Sequence, residues 1–184
     1  MHGIMFIELS RYADEQLGPG GWDRITTTAG LGDRVYEPGV AGPDVEFVRL
    51  ASLVADAVGR PLQEALEEFG RFVAPDLLGG LYGLLIDPSW DLMDFLEHTE
   101  ETIHTVVRAR DPVASPPRLL TRRRGFDEVM IVYSSPRNLC SVAKGIIEGA
   151  AQHYRETIVI DDLACMRRGD PRCQLVVKRA AATA

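Results

Sequence analysis

The apolar period of this chain changes near Arg110, and that change limits what the chain can fold into. Before it, apolar residues recur at helical spacing. After it, short β-branched runs alternate with turn residues. Gly3 to about Gly18 reads as a helix, and a second begins near Gly20. Gly30 to Pro43 is a loop rich in Gly and Pro. Asp44 to Gly59 reads as a helix capped by Asp44 and stopped by Gly59. Pro61 opens another, to about Val73. Leu77 to Ile86 reads as a short buried helix, and Ser89 to about Arg110 as a long one. Leu119-Leu120 and Val129 to Val132 then flank a hairpin, with Arg122, Arg123 and Arg124 at its solvated tip. Pro136 to about Tyr154 is a helix. Thr157 to Ile160 and Gln174 to Lys178 close as strands. A helical subdomain followed by a small antiparallel sheet with a long helix is the α+β class. One domain over residues 1–184 is expected, helical over about 1–110 and α/β over about 111–180, with a tail at 181–184.

Composition narrows the function classes. Hydrophobic residues make up 46% of the chain, so a packed core is expected. The formal net charge of −7 argues against nucleic acid, whose phosphates call for a basic face. No apolar run approaches the roughly 20 residues of a membrane span. Met1 to Glu8 has no basic start or cleavage pattern of a signal peptide. Three cysteines are an odd count, which fits a cytoplasmic setting better than a disulfide framework.

Two stretches carry chemistry. Ile131 to Asn138 runs from a strand into a helix, with Ser135 as N-cap and Pro136 in the first helical position. Arg137 adds a planar fork of donors, and Tyr133 and Ser135 add hydroxyls. The set suits an anion with several oxygens, although an ordinary capped helix with a surface arginine accounts for it equally well. On the long helix, Leu92, Leu96, Ile103, Val106 and Val107 mark the buried face. His104 falls roughly 60° from Val107, at the edge of that face, while His98 lies on the acidic side. A neutral imidazole there can ligate a metal, or it can be a core-edge histidine satisfied by a carbonyl.

Tyr133-x-Ser135-x-Arg137 resembles the haem-propionate signature of the H-NOX (haem nitric oxide/oxygen binding) family. Pro116-Pro117-Arg118-Leu119 follows His104 at the family's spacing. The Met1-His2-Gly3 start and Gly145-Ile146-Ile147-Glu148-Gly149 are also family-like, so the resemblance spans essentially the whole chain. It implies a b-type haem between the two parts, with His104 as proximal iron ligand and Tyr133, Ser135 and Arg137 on the propionates. It places Pro117 against the ring. Oxygen-binding members carry a distal tyrosine with polar helpers. The matching positions here, Val142, Leu9 and Val73, are apolar, as in members selective for nitric oxide. The resemblance thus implies a gas sensor rather than an enzyme, signalling to a separate effector such as a histidine kinase or a cyclic-di-nucleotide enzyme.

Cys140, Cys165 and Cys173 could join a fourth ligand around a structural zinc, remain free thiols, or leave a Cys165–Cys173 disulfide. They resemble the zinc site of a bacterial H-NOX subset, in which thiolate oxidation links the site to redox sensing. In that subset the fourth ligand is a histidine; Asp162 stands in its place here. Two alternatives remain at this stage. One is a 4-vinyl-reductase-like effector domain with zinc and no haem; the other is a thiol redox switch.

Overall fold

The computed structural model describes residues 1–110 and 114–180. The expected tail, 181–184, and the expected boundary at 111 lie outside them. Four helices come first: α1 (Gly3–Leu17), α2 (Gly21–Thr28), α3 (Asp44–Ala57) and α4 (Leu62–Asp76). Their buried faces follow the helical period. Phe6, Leu9, Tyr12 and Ala13 of α1 meet Phe47, Leu50 and Val54 of α3 and Phe69 and Val73 of α4. No helix among the described residues is long and apolar enough to cross a membrane.

The expected buried helix over Leu77 to Ile86 is not one. Leu77–Leu81 prolongs α4 as a π turn, Gly83–Leu85 is a single 3-10 turn, and Leu84 is fully exposed. Gly79, Gly80 and Gly83 deprive the stretch of helix propensity and of side chains to bury. The long helix also starts later than expected, at Leu92. Asp91 accepts the Asp94 N–H while the Asp94 carboxylate accepts the Asp91 N–H, a capping box. The helix then runs as α5 (Leu92–Thr99), a π turn over Glu100–His104, and α6 (Thr105–Arg110).

The remainder is β1 (Arg118–Arg123), β2 (Glu128–Ser134), α7 (Cys140–His153), β3 (Ile158–Ala164) and β4 (Cys173–Arg179). The strands form one antiparallel sheet in the order β1-β2-β4-β3, which makes the fold α+β as expected. Tyr133 pairs with Leu119 on one side and Cys173 on the other. Arg123 is not solvated at the hairpin tip. Its guanidinium donates to Asp94 Oδ1 at 2.7 Å and lies 3.6 Å from Glu97, tying β1 to α5.

Helix α7 serves two cores. Val142 joins the helical cluster, while Ile147, Ala150 and Ala151 join the cluster of α5 and the sheet. It crosses α4 at very short range, through glycines. A Cβ on Gly145 would lie 1.9 Å from the Glu67 carbonyl oxygen, and one on Gly70 would lie 2.3 Å from that of Val142. Ser141 Oγ donates to Gln63 Oε1 at 2.8 Å, and Arg71 pairs with Glu148 beside the crossing.

Candidate functional site

Strand β2 delivers Tyr133, and the turn after it delivers Ser135 and Arg137. Ser135 does not cap α7. Asn138 adopts φ +54° and its N–H returns to the Ser135 carbonyl at 3.2 Å, so residues 135–138 form a turn and α7 begins at Cys140. Asn tolerates this left-handed conformation better than most residues. The Ser135 hydroxyl accepts the Arg137 N–H at 3.3 Å instead. The donors gathered here therefore belong to side chains and not to a helix N-terminus. Tyr133 is 3% exposed, and burial pushes its phenol up to about 12. The Arg137 guanidinium donates to the Ser115 carbonyl and lies 3.6 Å from the Asp44 carboxylate.

Tyr133 and Arg137 open into a cavity that His104, Pro117 and Val142 also line, with about 1290 Å³ of empty space including its mouth. The rest of the wall is largely apolar. Met5, Leu77 and Ile146 face it from the helical half, and Phe95, Leu96 and Ile131 from the other. Ser135, Leu9 and Val73 do not line it. Leu9 and Val73 pack behind it in the core that includes Val142 and touches Met5, Leu77 and Ile146. Met5 and Leu77 stand one turn along the same helix faces from Leu9 and Val73, so a wheel drawn through each pair could have found them.

His104 closes the π turn with its side chain 15% exposed, and Nδ1 lies 2.9 Å from Glu100 Oε2. Burial lowers the imidazole's pKa although the Glu100 carboxylate pulls it upward, so the ring is neutral at pH 7. Burial alone would raise Glu100, but His104, the Leu119 N–H and Arg108 outweigh it and bring the carboxyl down. His98, by contrast, stacks on Trp90 away from the cavity, with ring centroids 5.0 Å apart. Sequence reasoning passed over Glu100, although its place four residues before His104 was a signal in plain view.

These residues fit a haem. The macrocycle is flat and apolar, and the walls are apolar. Iron needs a neutral nitrogen donor, and His104 provides one in a wall of the cavity. The propionates need a cation and hydroxyls, and Arg137 with Tyr133 supplies them.

The second cluster lies beside the first. The thiols of Cys140, Cys165 and Cys173 are buried and lie within 4.8 Å of one another, with Tyr133 packed against them. Cys140 and Cys165 sulfurs are 3.7 Å apart, and those of Cys165 and Cys173 are 3.9 Å apart. Two thiolates on one tetrahedral zinc, with bonds of about 2.3 Å, lie roughly 3.8 Å apart, so the spacing fits shared coordination. Burial and the Cys173 thiol push Cys140 up to about 12. Asp162 is not part of the group. Its carboxylate faces Lys144 at 3.6 Å and Arg168 at 3.4 Å.

The sequence profile of the Haem-NO-binding family matches residues 2–162. Among solved structures, an H-NOX protein from S. oneidensis in the Fe(II)NO ligation state is 27% identical. The alignment covers 98% of this chain and 100% of that one, with a TM-score of 0.91. A variant of T. Tengcongensis H-NOX is 22% identical, covers 100% of both chains and gives a TM-score of 0.85. The unliganded Fe(II) H-NOX protein from K. algicida is 18% identical, with 100% and 99% covered and a TM-score of 0.83. The last two bear on fold alone. No curated protein matches the chain.

Proposed function

The chain belongs to the Haem-NO-binding (H-NOX) family, whose fold is that of haem-based gas sensors, and we propose that it is a nitric oxide sensor acting on a separate effector. The observation that carries this reading is that His104, Pro117, Tyr133, Arg137 and Val142 line one cavity. Ferrous haem would supply a coordination position open to a diatomic gas. His104 would hold the iron from the π turn, Tyr133 and Arg137 would hold the propionates with Ser135 bracing the Arg137 backbone unless its hydroxyl turns toward them, and Pro117 would touch the ring.

Selectivity follows from the part of the wall that Val142 shares with Met5, Leu77 and Ile146. Bound O₂ is partly negative and is held by a hydrogen-bond donor, whereas NO binds ferrous haem without one. Val142, Met5, Leu77 and Ile146 offer no donor, and Leu9 and Val73 behind them offer none either. Tyr82 also lines the cavity and packs against the core cluster shared by α5, the sheet and α7, so its hydroxyl is the donor that the O₂ test must discount. His104 ties that helix to the iron. A ligand that weakens the tie biases the position of the helix, the two-state element that allostery requires. The effector would be a histidine kinase or a cyclic-di-nucleotide enzyme in the cytoplasm.

Absorption spectra test the reading. The reduced protein should show a Soret band that NO shifts and that air does not convert to a reversible O₂ spectrum. Val142→Tyr should confer reversible O₂ binding. A wild type that holds O₂ for minutes would refute the selectivity argument.

The three thiols support a zinc. Elemental analysis of protein purified without added metal should give about one zinc per chain, as for a structural site. Cys165→Ser should lose most of it. For Asp162 to be the fourth ligand, its carboxylate would have to leave Lys144 and Arg168, so Asp162→Asn separates that possibility from a water or a neighbouring group. A metal-free protein with a Cys165–Cys173 disulfide would sink the zinc reading.

A further inference from the structure

Glu100 grips His104 from the side away from the cavity. It opens the π turn that His104 closes, where the Glu100 carbonyl accepts both the Thr105 N–H and the Thr105 hydroxyl. Such turns interrupt α-helices frequently at functional sites. Glu100 Oε2 accepts from His104 Nδ1 at 2.9 Å and from the Leu119 N–H at 3.1 Å, and Oε1 accepts from Arg108. Both side chains are largely withdrawn from solvent, at 18% exposed for Glu100 and 15% for His104.

A carboxylate can only accept, so Nδ1 carries the hydrogen in this pair and Nε2 is the nitrogen left for iron; the Pro117 backbone also bonds the ring. We propose that Glu100 is the positioning residue for His104: it fixes the tautomer and the plane of the ring, strengthens Nε2 as a donor, and ties the ring to the start of β1. The proposal rests on His104 as the iron ligand. A hydrogen bond from the far nitrogen of a ligating histidine to a carboxylate raises ligand basicity and orients the ring. An ordinary ion pair four residues apart on a helix lies in solvent and stabilises weakly. This one is buried, and it recruits a backbone N–H from a different element. Arg108 neutralises the carboxylate and makes its burial tolerable. Leu119 is also the residue that pairs with Tyr133. Through Glu100 the iron-binding helix is therefore bonded to the strand next to the one that carries the propionate tyrosine.

The test uses the haem-loaded protein with Glu100→Ala and Glu100→Gln. Glu100→Ala should lower haem affinity by roughly 10- to 100-fold, the usual effect of losing a second-sphere partner. In the reduced protein the iron–histidine stretching band should move to lower frequency, and the reduction potential should rise, because a less basic ligand stabilises ferric iron less. Glu100→Gln keeps an acceptor without the charge, so it should restore most of the affinity while leaving both shifts partly in place. If Glu100→Ala does not fold, the Gln variant alone decides through its band and potential. Wild-type band position and potential in the variants would overturn the proposal and leave His104 as ligand. A wild type without haem, or haem unaffected by removal of His104, would overturn the ligand assignment and the proposal together.

Discussion

His104→Gly should leave a folded protein that no longer retains haem through purification, unless imidazole is supplied. The loss should exceed the roughly 100-fold that attends removal of an outer-sphere partner, because the iron ligand itself is gone. The cavity walls are apolar, so some haem can still partition into them. The spectrum is therefore a better reading than haem content. Added imidazole should enter the space left by the ring and bring back the spectrum of the wild type. The lining presents one other histidine, His2, whose Nδ1 caps α1 by accepting the Ile4 N–H at 3.4 Å. A variant with the same Soret band as the wild type, without imidazole, would show that His104 is not the ligand.

Gly145→Ala should be strongly destabilising for the addition of a single methyl. Its Cβ would stand 1.9 Å from the Glu67 carbonyl oxygen and 2.9 Å from the Arg71 nitrogen, both backbone atoms. Backbone within a helix cannot turn aside as a side chain can, so α4 and α7 must separate along their whole crossing. Overpacking in a core usually costs about 1–3 kcal/mol, and here we expect about 3 kcal/mol or more. For a chain of this size that lowers Tm by roughly 6–12 °C. Gly39→Ala is the control, since nothing lies within 4 Å of the added atom. Its effect should stay within about 0.5 kcal/mol. Equal melting temperatures for the two variants would mean that the crossing is not as tight as described.

The fold was legible where one period dominates. Apolar spacing located α1, α3 and α4, and the switch of period near Arg110 announced the sheet. It was illegible where local chemistry overrides the period. Ser135 and Pro136 look like a helix start, but one left-handed residue, Asn138, makes them a turn. Leu77 to Ile86 reads as apolar and buried, yet its glycines leave Leu84 in solvent. Arg123 reads as a tip charge because nothing in the sequence says that Asp94 and Glu97 lie across from it. The site divides in the same way. His104 was recoverable from a helical wheel, and Cys140, Cys165 and Cys173 from chemistry. Glu100 is half legible: its place four residues before His104 is in the sequence, but Leu119 and Arg108, on which its role depends, come to it only through the fold. The family resemblance points to Leu9 and Val73, whereas at those places the cavity wall is made by Met5 and Leu77, one turn away.

Helix α7 completes two cores at once, and that has a consequence for how the chain reaches its native state. Val142 fills the helical cluster and Ile147 the sheet cluster, so neither half finishes burying its apolar surface until α7 docks. The docking partner, α4, is separated from α7 by the turns after α4, the long helix and the first hairpin. Contacts so distant along the chain require a long loop to close before burial repays it. Collapse of α1 to α4 should therefore be fast and incomplete, with the rate-limiting step being arrival of α7 against Gly70. Mutations at the crossing should slow refolding, whereas changes at the rim of the sheet, which form later, should mainly speed unfolding.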